Sequence, residues 1–399
     1  MSDIPKRAVV RMRPNKSPKR VRFGYPWVFA DEIVLDRRSR AIAPGSLVEM
    51  QDADRNSLGV AGFSPASKIA ARMLDPDPAA SIDGVWFKAR IARALALRER
   101  LCDAPFYRLV HAEADGLPGV VIDRFADIAV IQPNAAWAEV HLAALVDALV
   151  AVTGVGTVVR NGSGRARALE GLDDETLVLK GAITGAVPVP MNGATYLADL
   201  VGGQKTGLFF DQRDNHAFAA RLAEGGAVLD VFSHVGGFSL AALAAGAVSA
   251  LAVDGSGAAL ELAARGAEAA GFAERMETRK GEAFEVMQAL AGAGRRFDLV
   301  ICDPPAFAPS KAALQQGLRA YERVARMGAA LVENGGYLVL CSCSHAVASD
   351  LFLDACVRGI GRAGQSAQLI RSGAAGADHP VHPALRETGY LKALFFRLK

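Results

Sequence analysis

The chain has 399 residues, 51% of them hydrophobic, enough for two or three domains with sizeable cores. Its five cysteines include no CxxC pair, which excludes a disulfide framework or a cysteine-based zinc module and points to a reduced compartment. No run of 18 apolar residues or signal-like leader is present, so a cytoplasmic protein without a membrane partner is expected. The net charge is only +3, but residues 6–40 carry eleven Lys and Arg against Asp31, Glu32 and Asp36, a local +8. The remainder is near −5. Such a segment is the electrostatic footprint of a phosphate contact, or else a solvated terminus.

In chain order, short runs at Val21–Phe23, Leu47–Gln51, Gly59–Phe63 and Ile69–Met73 predict a small all-β module over residues 1–75. Phe23, Tyr25, Trp27 and Phe29 interleave with its basic residues, as core or as base-stacking surface. Asp75-Pro76-Asp77-Pro78 ends it. A helix follows over Trp86–Leu101, with Phe87, Ile91, Ala94, Leu95 and Leu101 as its apolar stripe. Lys88, Arg90, Arg93, Arg98 and Arg100 read as a solvated face. Strands at Leu109–Glu113, Gly119–Phe125 and Ile128–Gln132, a helix at Ala135–Val152, and strands at Thr157–Arg160 and Thr176–Leu179 complete a central α+β module over 76–185.

From 186 to 399 the pattern alternates. Apolar runs at Ala227–Phe232, Ala250–Val253, Phe297–Cys302 and Gly336–Leu340 suit buried parallel strands. Alanine-rich helices at Phe238–Ala245, Ala258–Ala270, Ala283–Ala291 and Ala312–Val332 separate them, and Leu391–Leu398 is the last strand. This is a doubly wound α/β domain.

Its chemistry is expected at the carboxyl ends of the strands. Asp230-Val231-Phe232-Ser233-His234-Val235-Gly236-Gly237 closes one strand and turns into a helix. Glycines there let the backbone approach a ligand. Asp254 closes the next strand, placed to bind ribose hydroxyls. Neither GxGxxG nor GxxxxGK[ST] is present, which weakens a dinucleotide site and removes the phosphate-loop nucleotidases. No metal is expected. Further on, Cys302-Asp303-Pro304-Pro305-Ala306-Phe307 and Cys341-Ser342-Cys343-Ser344 each begin where a strand ends. A carboxylate and a thiol on one rim suit chemistry on a nucleobase.

These residues carry a resemblance over nearly the whole chain. Gly24-Tyr25-Pro26-Trp27-Val28-Phe29, the Tyr107–Gly119 stretch, Gly203-Gln204-Lys205-Thr206-Gly207-Leu208-Phe209-Phe210-Asp211-Gln212-Arg213-Asp214-Asn215, Asp303–Phe307, Cys341–Ser344 and Gly389-Tyr390-Leu391-Lys392 occur in order. Together they resemble the RlmI-type family of S-adenosylmethionine-dependent large-subunit rRNA methyltransferases, which form 5-methylcytosine. The resemblance implies a class I, Rossmann-like methyltransferase domain preceded by an RNA-binding PUA-like domain. It implies S-adenosylmethionine as cofactor and ribosomal RNA as partner; a homodimer stays open.

It also implies roles. Asp230, Phe232, Gly236, Gly237 and Asp254 would line the cofactor site, with Glu282 at the adenine amine. Cys343 would be the nucleophile, with Cys341 as fallback, and Asp303 would bind N3 and N4 of a flipped cytosine. Cytosine C5 accepts a methyl group only after a thiolate adds at C6 and makes C5 enamine-like. Phe307 would stack, and Lys205, Asp211 and Arg213 would line the mouth. Four positions depart from the family: His234 for a loop glycine, Gly266 and Ala270 for asparagines, and His216 for an arginine. The alternatives are a guanine or adenine N-methyltransferase, which needs no cysteine, and a non-catalytic RNA-binding assembly factor.

Overall fold

The computed structural model describes residues 7–203 and 207–399 and divides into two compact units. The first spans residues up to 184 and takes back 380–386; the second holds 185–379 and 387–399.

Among the described residues, the first unit contains two five-stranded sheets. In one, Ala8–Arg11, Ser46–Gln51, Ser57–Phe63, Ala71–Asp75 and Trp27–Val28 lie in that spatial order. In the other the order is Leu177–Lys180, Thr157–Arg160, Ile128–Pro133, Val120–Phe125, Phe106–His111. Val60 and Leu74 of the first sheet share one core with Phe87 and Ile91 of the helix Gly84–Leu101 and with Trp137. Arg72 pairs with Glu170 at 2.8 Å, and both are largely buried. The all-β segment is thus welded to the module that follows it.

Several local expectations are corrected here. Val21–Phe23 is not a strand: Val21 lies in the helical turn Lys19–Arg22, which follows Pro18 as a residue with φ already set for a helix. Arg98 is not on a solvated face but fully buried, and its guanidinium grips both Asp115 oxygens at 2.6 and 2.7 Å. Leu101, assigned to the apolar stripe, is exposed. Ala135–Val152 is two helices, Ala136–Val140 and Leu142–Thr153, broken at His141.

In the second unit the large sheet has seven strands among the described residues: β1 (Ala227–Val231), β2 (Ser249–Asp254), β3 (Met276–Lys280), β4 (Phe297–Cys302), β5 (Val332–Ser342), β6 (Ala367–Gly373) and β7 (Lys392–Leu398). Their order is β3-β2-β1-β4-β5-β7-β6, parallel except for β7, which runs antiparallel to β5 and β6. The helices are α1 (Arg213–Leu222), α2 (Gly237–Ala244), α3 (Gly257–Ala269), α4 (Ala283–Gly292), α5 (Leu314–Ala329) and α6 (Ser349–Arg362). A hairpin, Val187–Met191 with Ala194–Ala198, precedes them.

The central strands are apolar on both faces because helices cover both. Val300, Leu338 and Leu340 face a core with α4, α5 and α6, whereas Leu299, Ile301, Val339 and Cys341 face one with Ala219 of α1 and Phe238 of α2. Small residues let the helices close in: a Cβ on Gly359 of α6 would lie 2.4 Å from the Glu322 carbonyl of α5. The strand order reverses between β1 and β4, which opens a crevice at their carboxyl ends. Register pairs Val231 with Val253 and Cys302, and Cys302 with Leu340. Four loops therefore leave one rim at Phe232, Asp254, Asp303 and Cys343.

Candidate active site

The loop after β1 is built around a buried acid. Asp230 is fully buried, and its Oδ2 accepts the Ser239 amide at 3.0 Å and the Ser239 hydroxyl at 2.9 Å. Its Oδ1 is buried with no partner. Burial pushes the carboxyl up to about 6 against those two bonds, which favour the ionised form. An orphaned buried acceptor at this position fits a ligand that brings a donor.

The backbone beyond it is strained. Phe232 and His234 both sit at positive φ, +64° and +50°, and Gly236 at +77°. Such conformations cost roughly 1–3 kcal/mol each in non-glycine residues and persist where the surroundings over-determine them. Here the His234 amide donates to Asp254 Oδ2 at 2.8 Å, and the Ser256 amide to Asp254 Oδ1 at 2.8 Å. Asp254 thus ties the β1 loop to the β2 loop, and each oxygen keeps a second lone pair. Gly237 is required for a different reason. A Cβ there would stand 2.7 Å from the His216 ring, which packs under the turn against Phe238 and Tyr196. Burial drives the His216 imidazole down to about 3, so it is neutral. Gly266 also has a packing reason, since a Cβ would meet the Thr195 carbonyl at 2.9 Å.

Glu282 is exposed at the start of α4, where its Oε2 caps the helix by accepting the Glu285 amide at 2.9 Å. It stands after β3, on the same rim as Asp254. The residues fit the amino-acid, ribose and adenine parts of S-adenosylmethionine: an orphaned acceptor, a glycine turn without side-chain obstruction, and two carboxylates beyond β2 and β3.

The other part of the rim is assembled by the loops after β4 and β5. Asp303 is half-buried and its Oδ2 accepts the Gln212 amide at 2.9 Å. Gln212 is itself oriented by Asn215, which donates to Gln212 Oε1 at 2.7 Å and to the Ala374 carbonyl at 3.1 Å. Around β5, side chains alternate. Ser342 and Ser344 point inward and are fully buried, so Cys343 between them points the other way and is half-exposed. The Ser344 hydroxyl accepts the Ala308 amide at 3.1 Å and meets the Tyr321 hydroxyl at 2.7 Å, which Ser342 also reaches at 2.9 Å. One buried triad of hydroxyls therefore pins the Cys343 loop to the Asp303 loop. Cys341 is buried in the core, and burial, with Asp303 adding to it, pushes its thiol well above the ordinary value. It is an inert packing residue in this state.

Of the remaining sequence-derived candidates, Asp211 is buried, accepts the Tyr390 hydroxyl on Oδ2, and keeps Oδ1 without a partner. Arg213 lies over Phe210 at the start of α1. Phe307 is half-buried in an aromatic cluster with Tyr321, Phe232 and Phe284, at 5.0, 6.4 and 6.4 Å between ring centres. Lys205 lies outside the described residues. Gln212, Asn215, Tyr321, Ser344 and Lys392 were not singled out as site residues by sequence reasoning. Gln212 and Asn215 are nevertheless in the Gly203–Asn215 run that carries much of the resemblance. Among the described residues no cluster of His, Cys, Asp and Glu could hold a metal, and no helix is long and apolar enough to cross a membrane.

Matches to known proteins cover both parts of the chain. The family model described as S-adenosylmethionine-dependent methyltransferase matches residues 163–397, and a PUA-like domain model matches 10–76. The ribosomal RNA large subunit methyltransferase I of Alteromonas mediterranea is 36% identical over 97% of this chain and 98% of its own. The protein of that name from Escherichia coli K12 is 32% identical, covering 94% and 95%. Among solved structures, a chain described as a SAM-dependent methyltransferase from Streptococcus mutans superposes with a TM-score of 0.82 at 18% identity, over 98% of this chain and all of that one. Another, a methyltransferase complexed with S-adenosylhomocysteine, gives 0.82 at 19% over 98% and 99%. These two show the shared fold. With such matches running almost end to end, the chain belongs to the S-adenosylmethionine-dependent methyltransferases, in the family of ribosomal RNA large subunit methyltransferase I.

Proposed function

We propose that this protein methylates C5 of a cytosine in large-subunit ribosomal RNA, through a covalent adduct on Cys343. The reading rests chiefly on one pairing: a half-exposed thiol and a half-buried carboxylate at the ends of neighbouring strands, joined by the Ser344–Ala308 hydrogen bond. An enzyme acting on an exocyclic or ring nitrogen has its nucleophile in the base and needs no thiol there.

Asp230, Phe232, Gly236, Gly237, Asp254 and Glu282 would hold S-adenosylmethionine, which would supply an electrophilic methyl group. The Cys343 thiolate adds to cytosine C6, and the C5–C6 π electrons shift toward N3. A proton shared between Asp303 and N3 neutralises the charge that builds there, while the second carboxyl oxygen accepts from the N4 amine. Gln212 keeps the carboxyl plane fixed while this happens. C5, now enamine-like, takes the methyl group. Loss of the C5 proton to a base then restores the C5–C6 double bond as the sulfur leaves C6. Asp211 and Arg213 stand on the segment that delivers Gln212 and would border the entering nucleotide.

The test is chemical identification of the product. Large-subunit RNA incubated with the protein and methyl-labelled cofactor, then digested to nucleosides, should yield 5-methylcytidine. Label on N4 of cytosine, or on a guanine or adenine nitrogen, would overturn the reading.

A further inference from the structure

Lys392 is the one lysine among the described residues whose side chain is buried. It opens β7, opposite Ser342 in the antiparallel register with β5, and so lies beneath the turn that begins at Cys343. Its Nζ donates to the Ser344 carbonyl and to the Val347 carbonyl, both at 2.8 Å. Among the described residues no carboxylate lies within ion-pair distance of it. An ammonium has three donors, and two are used by neutral carbonyls. A buried cation without an anionic partner is costly unless a negative charge is supplied nearby.

The group that can supply it is the thiolate at the head of the same turn. Burial disfavours the Lys392 charge, and the neighbouring Cys343 opposes that effect. The other titratable groups about the turn are poorly placed to replace it. Tyr321 on α5 is raised by burial, so it is neutral, and its hydroxyl is engaged by Ser342 and Ser344. His345 is exposed, with its ring on Tyr390 and Nδ1 at the Glu387 carbonyl. Asp303 ends the neighbouring strand and is engaged by Gln212.

We propose that Lys392 is the counter-ion of Cys343: its ammonium, clamped under the turn by two carbonyls, stabilises the thiolate that attacks the base. Lys392 is a positioning residue, acting through Cys343 and not on the substrate. The proposal rests on Cys343 being the nucleophile, yet it can be measured without RNA.

The experiment is site-resolved alkylation of the full-length protein by iodoacetamide across pH 5–10, read by peptide mass spectrometry. In the wild type, Cys343 should titrate below the ordinary thiol value of about 8.5. Lys392→Gln keeps donors for the two carbonyls and removes the charge. It should move the midpoint upward and slow alkylation at pH 7, about tenfold for a midpoint that rises by one on the pH scale. Lys392→Arg should restore the wild-type midpoint. A purely structural clamp would change the rate at all pH values without moving the midpoint, and that result overturns the proposal. A wild-type midpoint at or above 8.5 overturns it as well, and needs no variant to fold. Methyl label found away from C5 would refute the catalytic reading while leaving this thiol measurement to stand or fall alone.

Discussion

Gln212 donates its amide N–H to Asp303 at 2.9 Å, and because its carbonyl oxygen is taken by Asn215, the amide has only one orientation available. The carboxylate is thereby held in a fixed plane at the rim of the crevice. Gln212→Leu should lower the rate of methyl transfer by about ten- to a hundredfold, the worth of a hydrogen bond to a charged group, roughly 1.5–3 kcal/mol. Cofactor affinity measured by calorimetry should stay near wild type, since Asp254 and the β1 loop are untouched. An unchanged single-turnover rate would remove Gln212 from the account.

That relay marks where sequence reading stopped. Asp230, Asp254, Asp303 and Cys343 were legible because each ends an apolar run, and strand ends in an α/β sheet share a rim. Gln212 was not, because nothing in a polar pair three residues apart says which carboxylate it will face 91 positions along the chain. The sheet shows the same division. The buried strands β1, β2, β4 and β5 stand out as apolar runs. The edge strands β3, Met-Glu-Thr-Arg-Lys, and β6 are largely exposed and carry neither alternation nor an apolar run, so neither was expected. Arg98 failed for a related reason: one arginine in a basic helix looks like its neighbours until Asp115 is folded against it.

Asp254 ties the β1 loop to the β2 loop, and the proposed cofactor contact would be a second role. Asp254→Ala should weaken S-adenosylmethionine binding by about 1–3 kcal/mol through lost hydrogen bonds, and it also frees the strained His234 from its tether. Asp254→Asn keeps one acceptor and should fall between the alanine variant and wild type. Calorimetry showing equal affinity in all three would contradict the assignment.

His216 makes stability depend on pH. Its folded value near 3 lies below the ordinary value of about 6.5, so the unfolded chain binds the extra proton first. The stabilisation is complete above about pH 6.5 and is lost as pH falls toward 3, at up to about 1.4 kcal/mol per pH unit. In denaturant unfolding, the stability of the wild type relative to His216→Phe should therefore fall as pH drops from 7 to 4.5. A difference independent of pH would contradict the buried neutral ring.

In the PUA-like segment, several of the basic residues are already committed: Lys16 to Asp31, Arg20 to Glu32 and Arg22 to Asp52. Of the aromatics, Tyr25, Trp27 and Phe29 pack together, while Phe23 is 83% exposed. Phe23→Ala should weaken RNA binding by about 1–3 kcal/mol, the worth of one stacked base, with little change in the salt dependence that phosphate contacts set. Filter binding at two salt concentrations would show this. Affinity unchanged by the substitution would leave Phe23 without a role in RNA binding.

The covalent adduct is the centre of the account, and trapping it is the most direct test. RNA carrying 5-fluorocytosine at the target has no removable C5 proton, so after methyl transfer the sulfur cannot leave C6. Wild-type protein with this RNA and S-adenosylmethionine should give a complex that survives a denaturing gel. Cys341→Ala, a packing loss of about 1 kcal/mol, should still form it, and Cys343→Ala should not. A denaturation-resistant complex in Cys343→Ala, or its absence in the wild type under conditions where ordinary RNA is methylated, would contradict the mechanism.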